Sequence, residues 1–366
     1  MEYAQLKSAY GGKPVFVTGH TGFKGSWLTL WLTRLGARVT GYALPPDDKR
    51  GLFTAAGVEA DCNHITGDIR DLAALRQALA AARPAIVFHL AAQPLVRRSY
   101  LEPLETLETN VMGTARLLEA IRAEKLRCAV VVVTSDKCYE NREWAYGYRE
   151  DEPMGGHDVY SMSKGAAELV VSSFRRSFFP PAKLDEHGVA IASARAGNVI
   201  GGGDWSADRI VPDAIGALLR GVPIPVRYPD AVRPWQHVLE PLGGYLTLGV
   251  RLCNAGADRP ADFCEAWNFG PNLEAVRPVR ELVAGLVETW GGGRWEARRD
   301  AGEPHEAKLL RLCIDKAHAR LGWLPRWDFT RGIQRTVAWY RAQAQGASAA
   351  ALRALCMDQI REYMPH

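Results

Sequence analysis

The sequence predicts an α/β fold in which a doubly wound parallel sheet carries a smaller mixed α/β lobe at its carboxyl edge. Short β-branched runs alternate with helical stretches at close spacing in the first half of the chain, a pattern typical of right-handed βαβ units. Several of these runs are almost continuously apolar, as strands are when helices cover both faces of a sheet. A glycine cluster also separates the first predicted strand from the first predicted helix.

The predicted elements begin with a strand at residues 14–18, followed by a helix over about 26–35 and a second strand at 37–42. Later strands are predicted at residues 85–90, 129–134 and 191–194. Past Ile200 the pattern changes to more Pro, Trp and irregular spacing, which favours a separate lobe.

Composition excludes several classes of protein. Of the 366 residues, 47% are hydrophobic and 23% are charged, which is the balance of a globular protein. The formal charge of +4 comes from 45 basic and 41 acidic residues without a charged block, so nucleic acid is not an expected partner. Seven cysteines without a C-x-x-C pair predict reduced thiols and no metal site. With neither a signal peptide nor an apolar run of roughly 20 residues, we expect no membrane partner and a cytoplasmic location.

The glycine cluster reads Thr18-Gly19-His20-Thr21-Gly22-Phe23-Lys24-Gly25, a G-x-x-G-x-x-G. Glycine permits a tight turn and lets backbone N–H groups approach a pyrophosphate, to which a helix N-terminus adds partial positive charge. The alternative is an ordinary glycine turn. Because a buried strand precedes the cluster and a helix follows it, the pattern favours a dinucleotide site and a Rossmann-type sheet.

Two later segments support a dinucleotide site. Asp68 and Ile69 follow a probable third strand, where Asp68 could meet an adenine amino group; the alternative is that Asp68 caps a helix. Leu90-Ala91-Ala92 ends the fourth strand with small residues at the carboxyl edge. The second strand ends in Tyr42-Ala43-Leu44 and lacks the acidic residue that often selects NAD, so NADP stays open beside NAD.

A candidate catalytic motif is Tyr160-Ser161-Met162-Ser163-Lys164, a Y-x-x-x-K. On a helix, residues four apart share a face, so the lysine ammonium can lie beneath the phenol. A neighbouring cation and the charge of a nicotinamide ring would lower the tyrosine pKa from about 10 and make a base for a substrate hydroxyl. The strand that ends near Ser135 precedes this motif and offers a hydroxyl for the same substrate oxygen.

The glycine cluster, the strand-end serine and the Y-x-x-x-K motif, in this order and spacing, resemble the extended short-chain dehydrogenase/reductases that modify nucleotide sugars. Within that family, four segments resemble the signatures of the CDP-glucose 4,6-dehydratases. They are residues 18–27, 134–139, 201–205 and 233–238. The resemblance covers about residues 13–340.

The resemblance implies oxidation of the glucose at C4 by NAD, loss of water across C5 and C6, and return of the hydride to C6. It implies that Tyr160 takes the proton of the 4-hydroxyl, that Lys164 tunes Tyr160, and that Asp136 protonates the departing 6-hydroxyl. Related dTDP-glucose and GDP-mannose dehydratases have a glutamate base where this chain has Lys137. Lys137 can remove the C5 proton only as a neutral amine, which crowding by other cations favours. The alternative is that it pairs with Asp136 or with a substrate phosphate.

Further assignments follow from the resemblance. Residues 13–200, with segments that return from about 235–270, are expected to form the NAD-binding domain, and about 201–234 and 271–345 the substrate lobe. Thr109 is expected to contact the cofactor, and Gln93 is expected to contact the substrate. Asn198, Arg209 and Arg233 are expected on the diphosphate, although Arg209 could equally be a solvated surface charge.

The helices predicted around residues 101–123 and 161–174 have apolar residues at helical spacing. In the family such helices form a dimer contact, so we expect a homodimer or a tetramer; the alternative is that they only cover the sheet. Two other functions stay open. An NAD-dependent nucleotide-sugar epimerase would share Tyr160 and Lys164 without needing Asp136 and Lys137. A non-enzymatic nucleotide-binding regulator commonly lacks the tyrosine or lysine that this chain retains.

Overall fold

The computed structural model describes residues 1–253, 259–298 and 308–364. The strands are β1 (Pro14–Thr18), β2 (Arg38–Ala43), β3 (Asn63–Thr66), β4 (Ile86–His89), β5 (Ala129–Val133), β6 (Ala190–Ala196), β7 (Val199–Ile200), β8 (Ile224–Val226), β9 (Val232–Pro234), β10 (Gln236–His237), β11 (Ala266–Phe269), β12 (Val276–Pro278) and β13 (Trp295–Ala297).

The α-helices are α1 (Tyr3–Tyr10), α2 (Phe23–Arg34), α3 (Leu52–Ala55), α4 (Leu72–Ala82), α5 (Val96–Leu101), α6 (Pro103–Leu107), α7 (Gly113–Ala123), α8 (Val159–Ser177), α9 (Leu184–His187), α10 (Ile210–Arg220), α11 (Leu239–Leu252), α12 (Val279–Trp290), α13 (Phe329–Ala344) and α14 (Ala349–Tyr363). Within the described ranges, every helix falls short of the length and apolarity that crossing a membrane requires.

Seven parallel strands form the main sheet in the order β11-β6-β5-β4-β1-β2-β3. The chain leaves β1 toward β2 and β3 and then returns to β4 on the other side of β1. This reversal creates a crevice at the carboxyl edge between β1 and β4, where open α/β sheets bind their ligands. The predicted doubly wound, Rossmann-type sheet is confirmed.

Helices cover both faces of the sheet. The alternating side chains of β5 show the arrangement, since Val131 packs in the cluster that contains α2 and α11, whereas Val130 packs in the cluster that contains α4, α7 and α8. Successive side chains of a strand point to opposite faces, so a run of five apolar residues fits a strand that is buried on both sides.

The second half of the chain builds small sheets beside the carboxyl edge. β8 pairs with β13, β9 with β12, and β7 with β10, while α10, α12 and α13 pack against one another in sequence. β11 returns to the main sheet and pairs with β6, and α11 packs on β5 and β6. These small sheets and helices therefore lie beside the crevice and contribute residues to its walls.

The C-terminal helix α14, to which the sequence pattern assigned no role, packs on the outside of α2. The rings of Tyr363 and Trp31 lie 5.5 Å apart, centre to centre. The buried carboxylate of Glu240 on α11 accepts hydrogen bonds from the Tyr363 hydroxyl (2.7 Å) and from the backbone N–H groups of Arg326 and Trp327 (2.9 and 2.7 Å). These bonds join α14 and the segment before α13 to α11, which packs on β5 and β6 of the main sheet.

Candidate active site

A cleft of about 1030 Å³ runs along the carboxyl edge of the main sheet and under the smaller lobe. Its walls include the glycine cluster at one end, the residues that follow β4 and β5 in the middle, and Tyr228 beyond β8 on the lobe side. The cleft therefore brings both halves of the chain to one place.

The glycine cluster forms a close-fitting turn at the floor of the cleft. Gly19 has a φ of +75°, and a Cβ there would lie 2.7 Å from the backbone nitrogen of Ala91. A Cβ on Gly25 would lie 2.1 Å from the carbonyl oxygen of Gly19. α2 begins at Phe23 rather than at residue 26, because Gly22 is extended and already serves as its N-cap. This backbone fits the pyrophosphate of a dinucleotide at a helix N-terminus.

Between Gly19 and Gly25, all residues of the cluster except His20 line the cleft. The His20 side chain is buried beneath Gly41, and its Nε2 lies 2.6 Å from Nδ1 of His64. Burial, with the His64 charge beside it, lowers the pKa of His20 to about 4. His20 therefore supports the turn from behind.

The wall expected to meet the adenine contains Asp68 and Ile69. The Asp68 carboxylate accepts hydrogen bonds from the guanidinium of Arg70 at 2.6 to 3.0 Å. The N-cap of α4 is Asp71, which accepts from the Ala74 backbone N–H at 3.0 Å, so the alternative that Asp68 caps this helix is wrong. Other predicted cofactor residues also line the cleft: Leu90, Ala91, Ala92 and Thr109.

Tyr160 and Lys164 lie in the first turns of α8, whose N-cap Asp158 accepts from the Ser161 backbone N–H at 2.9 Å. Both side chains are buried in the cleft wall. Burial raises the pKa of Tyr160 to about 12, against the opposing effects of a hydrogen bond with Ser135 and of the nearby Arg209 charge. The expected lowered tyrosine pKa is therefore not produced by the chain's own residues, because desolvation of the phenolate outweighs the cations.

Lys164 is also affected by its burial, which lowers the pKa of its ammonium to about 8. Glu168 acts against this effect, because its negative charge favours the protonated lysine.

Asp136 follows β5 and is buried beside Ser135, whose hydroxyl donates to Asp136 Oδ1 at 3.0 Å. Among the described residues, Asp136 Oδ2 has no hydrogen-bond partner. Burial raises the pKa of this carboxyl, although the charges of Lys137 and Arg233 oppose the rise. A carboxyl that retains its proton in this way can act as a general acid.

Lys137 lines the same cleft. Its backbone N–H donates to the Ser135 hydroxyl at 3.2 Å, which makes Ser135 the N-cap of the short 3₁₀ turn Asp136–Cys138. The structure thus gathers Ser135, Asp136, Lys137 and Tyr160 in the wall of one cleft.

The four predicted substrate residues all line the cleft: Gln93, Asn198, Arg209 and Arg233. Arg209 donates to Asp204 at 2.8 Å, a partner that the sequence did not single out. The buried Arg233 donates to the carbonyl oxygen of Val232 at 2.8 Å. The Gln93 amide donates to Thr106 Oγ1 at 2.8 Å and to the Leu95 carbonyl at 3.1 Å, so it also holds the loop after β4.

Sequence patterns missed Gly197 and Glu168. A Cβ on Gly197 would lie 2.6 Å from Asp136 Oδ2, and no local pattern signals this approach. Glu168 lies one helical turn beyond Lys164 on α8, so the four-residue spacing that paired Tyr160 with Lys164 could have indicated it.

Comparison with known proteins identifies the family. The model of the GDP-mannose 4,6 dehydratase family matches residues 16–184. A CDP-glucose 4,6-dehydratase of Salmonella typhimurium is 52% identical over 340 residues, which cover 93% of this chain and 94% of the relative. The chain belongs to the CDP-glucose 4,6-dehydratase family. The family resemblance predicted from the motifs is confirmed.

More distant relatives share the same architecture. A dTDP-glucose 4,6-dehydratase of Streptomyces antibioticus is 32% identical, with 89% of this chain and 92% of the relative covered. The crystal structure of a dTDP-glucose 4,6-dehydratase from Streptomyces venezuelae, solved with NAD bound, has a TM-score of 0.76 and 25% identity, and the match covers 91% of this chain and 98% of that one.

Proposed function

We propose that this chain is a hydro-lyase that converts CDP-D-glucose into CDP-4-dehydro-6-deoxy-D-glucose and water, using NAD that stays bound. The observation that carries this proposal is the 52% identity to the Salmonella typhimurium CDP-glucose 4,6-dehydratase along 93% of the chain. The arrangement of a general acid, a lysine and a Y-x-x-x-K tyrosine in one cleft supports it.

The residues at the carboxyl edge fit NAD. The backbone of the cluster from Gly19 to Gly25 would hold the pyrophosphate, with Asp68 and Ile69 toward the adenine and Leu90 to Ala92 beside the dinucleotide. Thr109, Tyr160 and Lys164 complete the proposed set. When bound, NAD accepts a hydride from C4 of the sugar and returns it to C6.

The residues of the chain then handle the protons. Tyr160 takes the proton of the 4-hydroxyl, helped by Ser135 and by the ammonium of Lys164, so that C4 becomes a ketone. The ketone acidifies the C5 proton, which Lys137 removes as a neutral amine. Asp136 donates its proton to the 6-hydroxyl, which leaves as water and gives a C5–C6 double bond. After a hydride arrives at C6, the proton held by Lys137 returns to C5.

We further propose how the two parts of the chain divide the work. Residues 13–200, with the return segments at about 235–270, hold NAD, and about 201–234 and 271–345 hold the nucleotide. Asn198, Arg209 and Arg233 contact the diphosphate, and Gln93 lies toward the sugar. Because substrate and cofactor are both charged nucleotides, we place the reaction in the cytoplasm.

We also propose a homodimer. α7 and α8 bury one side against the main sheet, yet apolar side chains on α6, immediately before α7 and on the outer side of α8 remain exposed. These side chains are Leu104, Met112, Met162 and Leu169. A second copy of the chain would cover them in a symmetric contact.

The decisive experiment follows a hydride label. CDP-glucose carrying tritium at C4 should yield a product with tritium on the C6 methyl group and an alkali-induced ultraviolet absorbance typical of 4-keto-6-deoxy sugars. Release of tritium into water or into free cofactor would contradict the proposal. An epimerase or a non-enzymatic regulator would give no such absorbance, and parallel assays with dTDP-, UDP- and GDP-glucose test the choice of nucleotide.

A further inference from the structure

A buried ion pair lies close to the catalytic residues of the cleft. Arg195 on β6 donates from NH2 to Glu168 Oε2 on α8 at 2.8 Å, and the two side chains are only 4% and 5% exposed. Arg195 also donates to the hydroxyl of Tyr139 at 2.7 Å and to the carbonyl oxygen of Glu150 at 3.0 Å. A buried pair with this many hydrogen bonds has a defined geometry.

The Glu168 carboxylate has two further donors. Thr134 Oγ1 donates to Oε1 at 2.5 Å, and Ser193 Oγ donates to Oε2 at 2.7 Å. Burial alone would raise the pKa of Glu168, but the Arg195 charge and these hydrogen bonds hold the pKa below its ordinary value. The carboxylate is therefore charged and fixed by contacts with β6 and with the end of β5.

The position of Thr134 gives these contacts a consequence for the active site. Thr134 is the residue immediately before Ser135, Asp136 and Lys137. Glu168 lies on the same helix as Tyr160, two turns further along. The hydrogen bond from Thr134 to Glu168 thus joins the segment with the acid and the lysine to the helix with the tyrosine.

We propose that Glu168, held in place by Arg195, is a positioning residue that fixes the end of β5 relative to α8 through Thr134. Hydride loss at C4 needs Tyr160 and Ser135 on one oxygen, whereas elimination needs Asp136 and Lys137 on the neighbouring carbons. A shift of about 1 Å between reacting groups can slow a reaction by about 10²-fold. The role of this contact is distinct from substrate binding and rests on the dehydration proposed above.

The test compares two hydroxyls on one carboxylate. Thr134→Val removes the hydroxyl that reaches Glu168 from the catalytic segment and keeps the β-branched shape. Ser193→Ala removes the hydroxyl that reaches the same carboxylate from β6, away from that segment. We expect Thr134→Val to lower kcat by about tenfold or more with little change in KM, and Ser193→Ala to stay within about twofold of wild type.

Two additional measurements separate positioning from general stability. With substrate deuterated at C4, Thr134→Val should show a larger isotope effect on kcat than wild type, because hydride loss becomes slower. Thr134→Ser, which keeps the hydroxyl, should restore kcat, and Thr134→Ala should reproduce the loss if the valine variant does not fold. Equal kcat values in Thr134→Val and Ser193→Ala would overturn the proposal. Wild-type protein without dehydratase activity would instead refute the proposed function, and this inference with it.

Discussion

A Cβ placed on Gly197 would lie 2.6 Å from Oδ2 of Asp136, closer than side-chain carbons and oxygens approach. Gly197→Ala should therefore displace the Asp136 carboxyl, since Pro234 closes the other side at 3.1 Å. We expect kcat for dehydration to fall by about 10²-fold, with oxidation at C4 less affected. Reduced cofactor, followed by its absorbance in single-turnover experiments, should then accumulate.

Gly216 on α10 provides the matched control. The nearest atom to a Cβ there is the flexible guanidinium end of Arg220 at 3.4 Å, so Gly216→Ala should leave the rate unchanged. A normal dehydration rate in Gly197→Ala would contradict the assignment of Asp136 as a general acid that must be held in this position.

Lys137 can be tested by separating its step from the oxidation. Lys137→Met removes the amine and keeps an unbranched side chain of similar length, so C4 oxidation should continue while C5 exchange in deuterated water and dehydration are lost. Mass spectrometry of the recovered nucleotide sugar measures the exchange. Full dehydratase activity in this variant would leave Lys137 only as a cation that pairs with Asp136 or with a phosphate.

His89 makes folding stability depend on pH. Burial lowers the pKa of His89 to about 3, whereas an unfolded histidine titrates near about 6.5. Below that value the unfolded state binds a proton that the native state does not, so stability falls as pH falls. From about pH 7.5 to about pH 5.5, His89→Asn should lose about 1.4 kcal/mol less stability in urea unfolding than wild type.

His237 offers an independent repeat of that experiment. His237 is the last residue of β10 and is buried. Burial lowers its pKa to about 3 as well. His237→Asn should flatten the same part of the stability curve by a similar amount. Parallel curves for wild type and both variants would contradict a role for these buried rings in acid sensitivity.

The proposed dimer predicts a site-specific effect of charge. Leu169 is 59% exposed on the outer side of α8, and Leu169→Glu should dissociate the dimer, because a symmetric contact would bury the carboxylate twice. Leu273 is 69% exposed elsewhere on the surface, so Leu273→Glu should leave the mass unchanged in sedimentation analysis. A monomeric wild-type protein would show that α7 and α8 only cover the sheet.

Patterns within a few residues predicted the fold well. The apolar run of β5 and the spacing of Tyr160 and Lys164 are local signals, because strand burial and helix faces are set by neighbours in sequence. The start of α2 was misplaced by three residues, since the glycine turn and the first helical turn share Gly25. Helix boundaries depend on caps that residue periodicity does not show.

Side-chain directions and charge states were harder to predict, because they depend on partners that are distant in sequence. His20 faces His64 rather than the cleft, and Gln93 bonds to Thr106. The raised pKa of Tyr160 comes from burial by several segments. α14 carried no motif, and its packing against Trp31 depends on the fold of the whole chain.

The return of β11 to the edge of β6 limits how the chain could be divided. Every residue assigned to catalysis precedes residue 200. A fragment that ended there would nevertheless leave β6 as an unpaired edge strand and would expose the apolar face of the sheet that α11 covers. Exposed edges and faces of this kind promote aggregation. The catalytic half is therefore unsuited to expression or transplantation by itself, and engineered hybrids should exchange surface loops around the cleft while keeping β11 and α11 with the sheet.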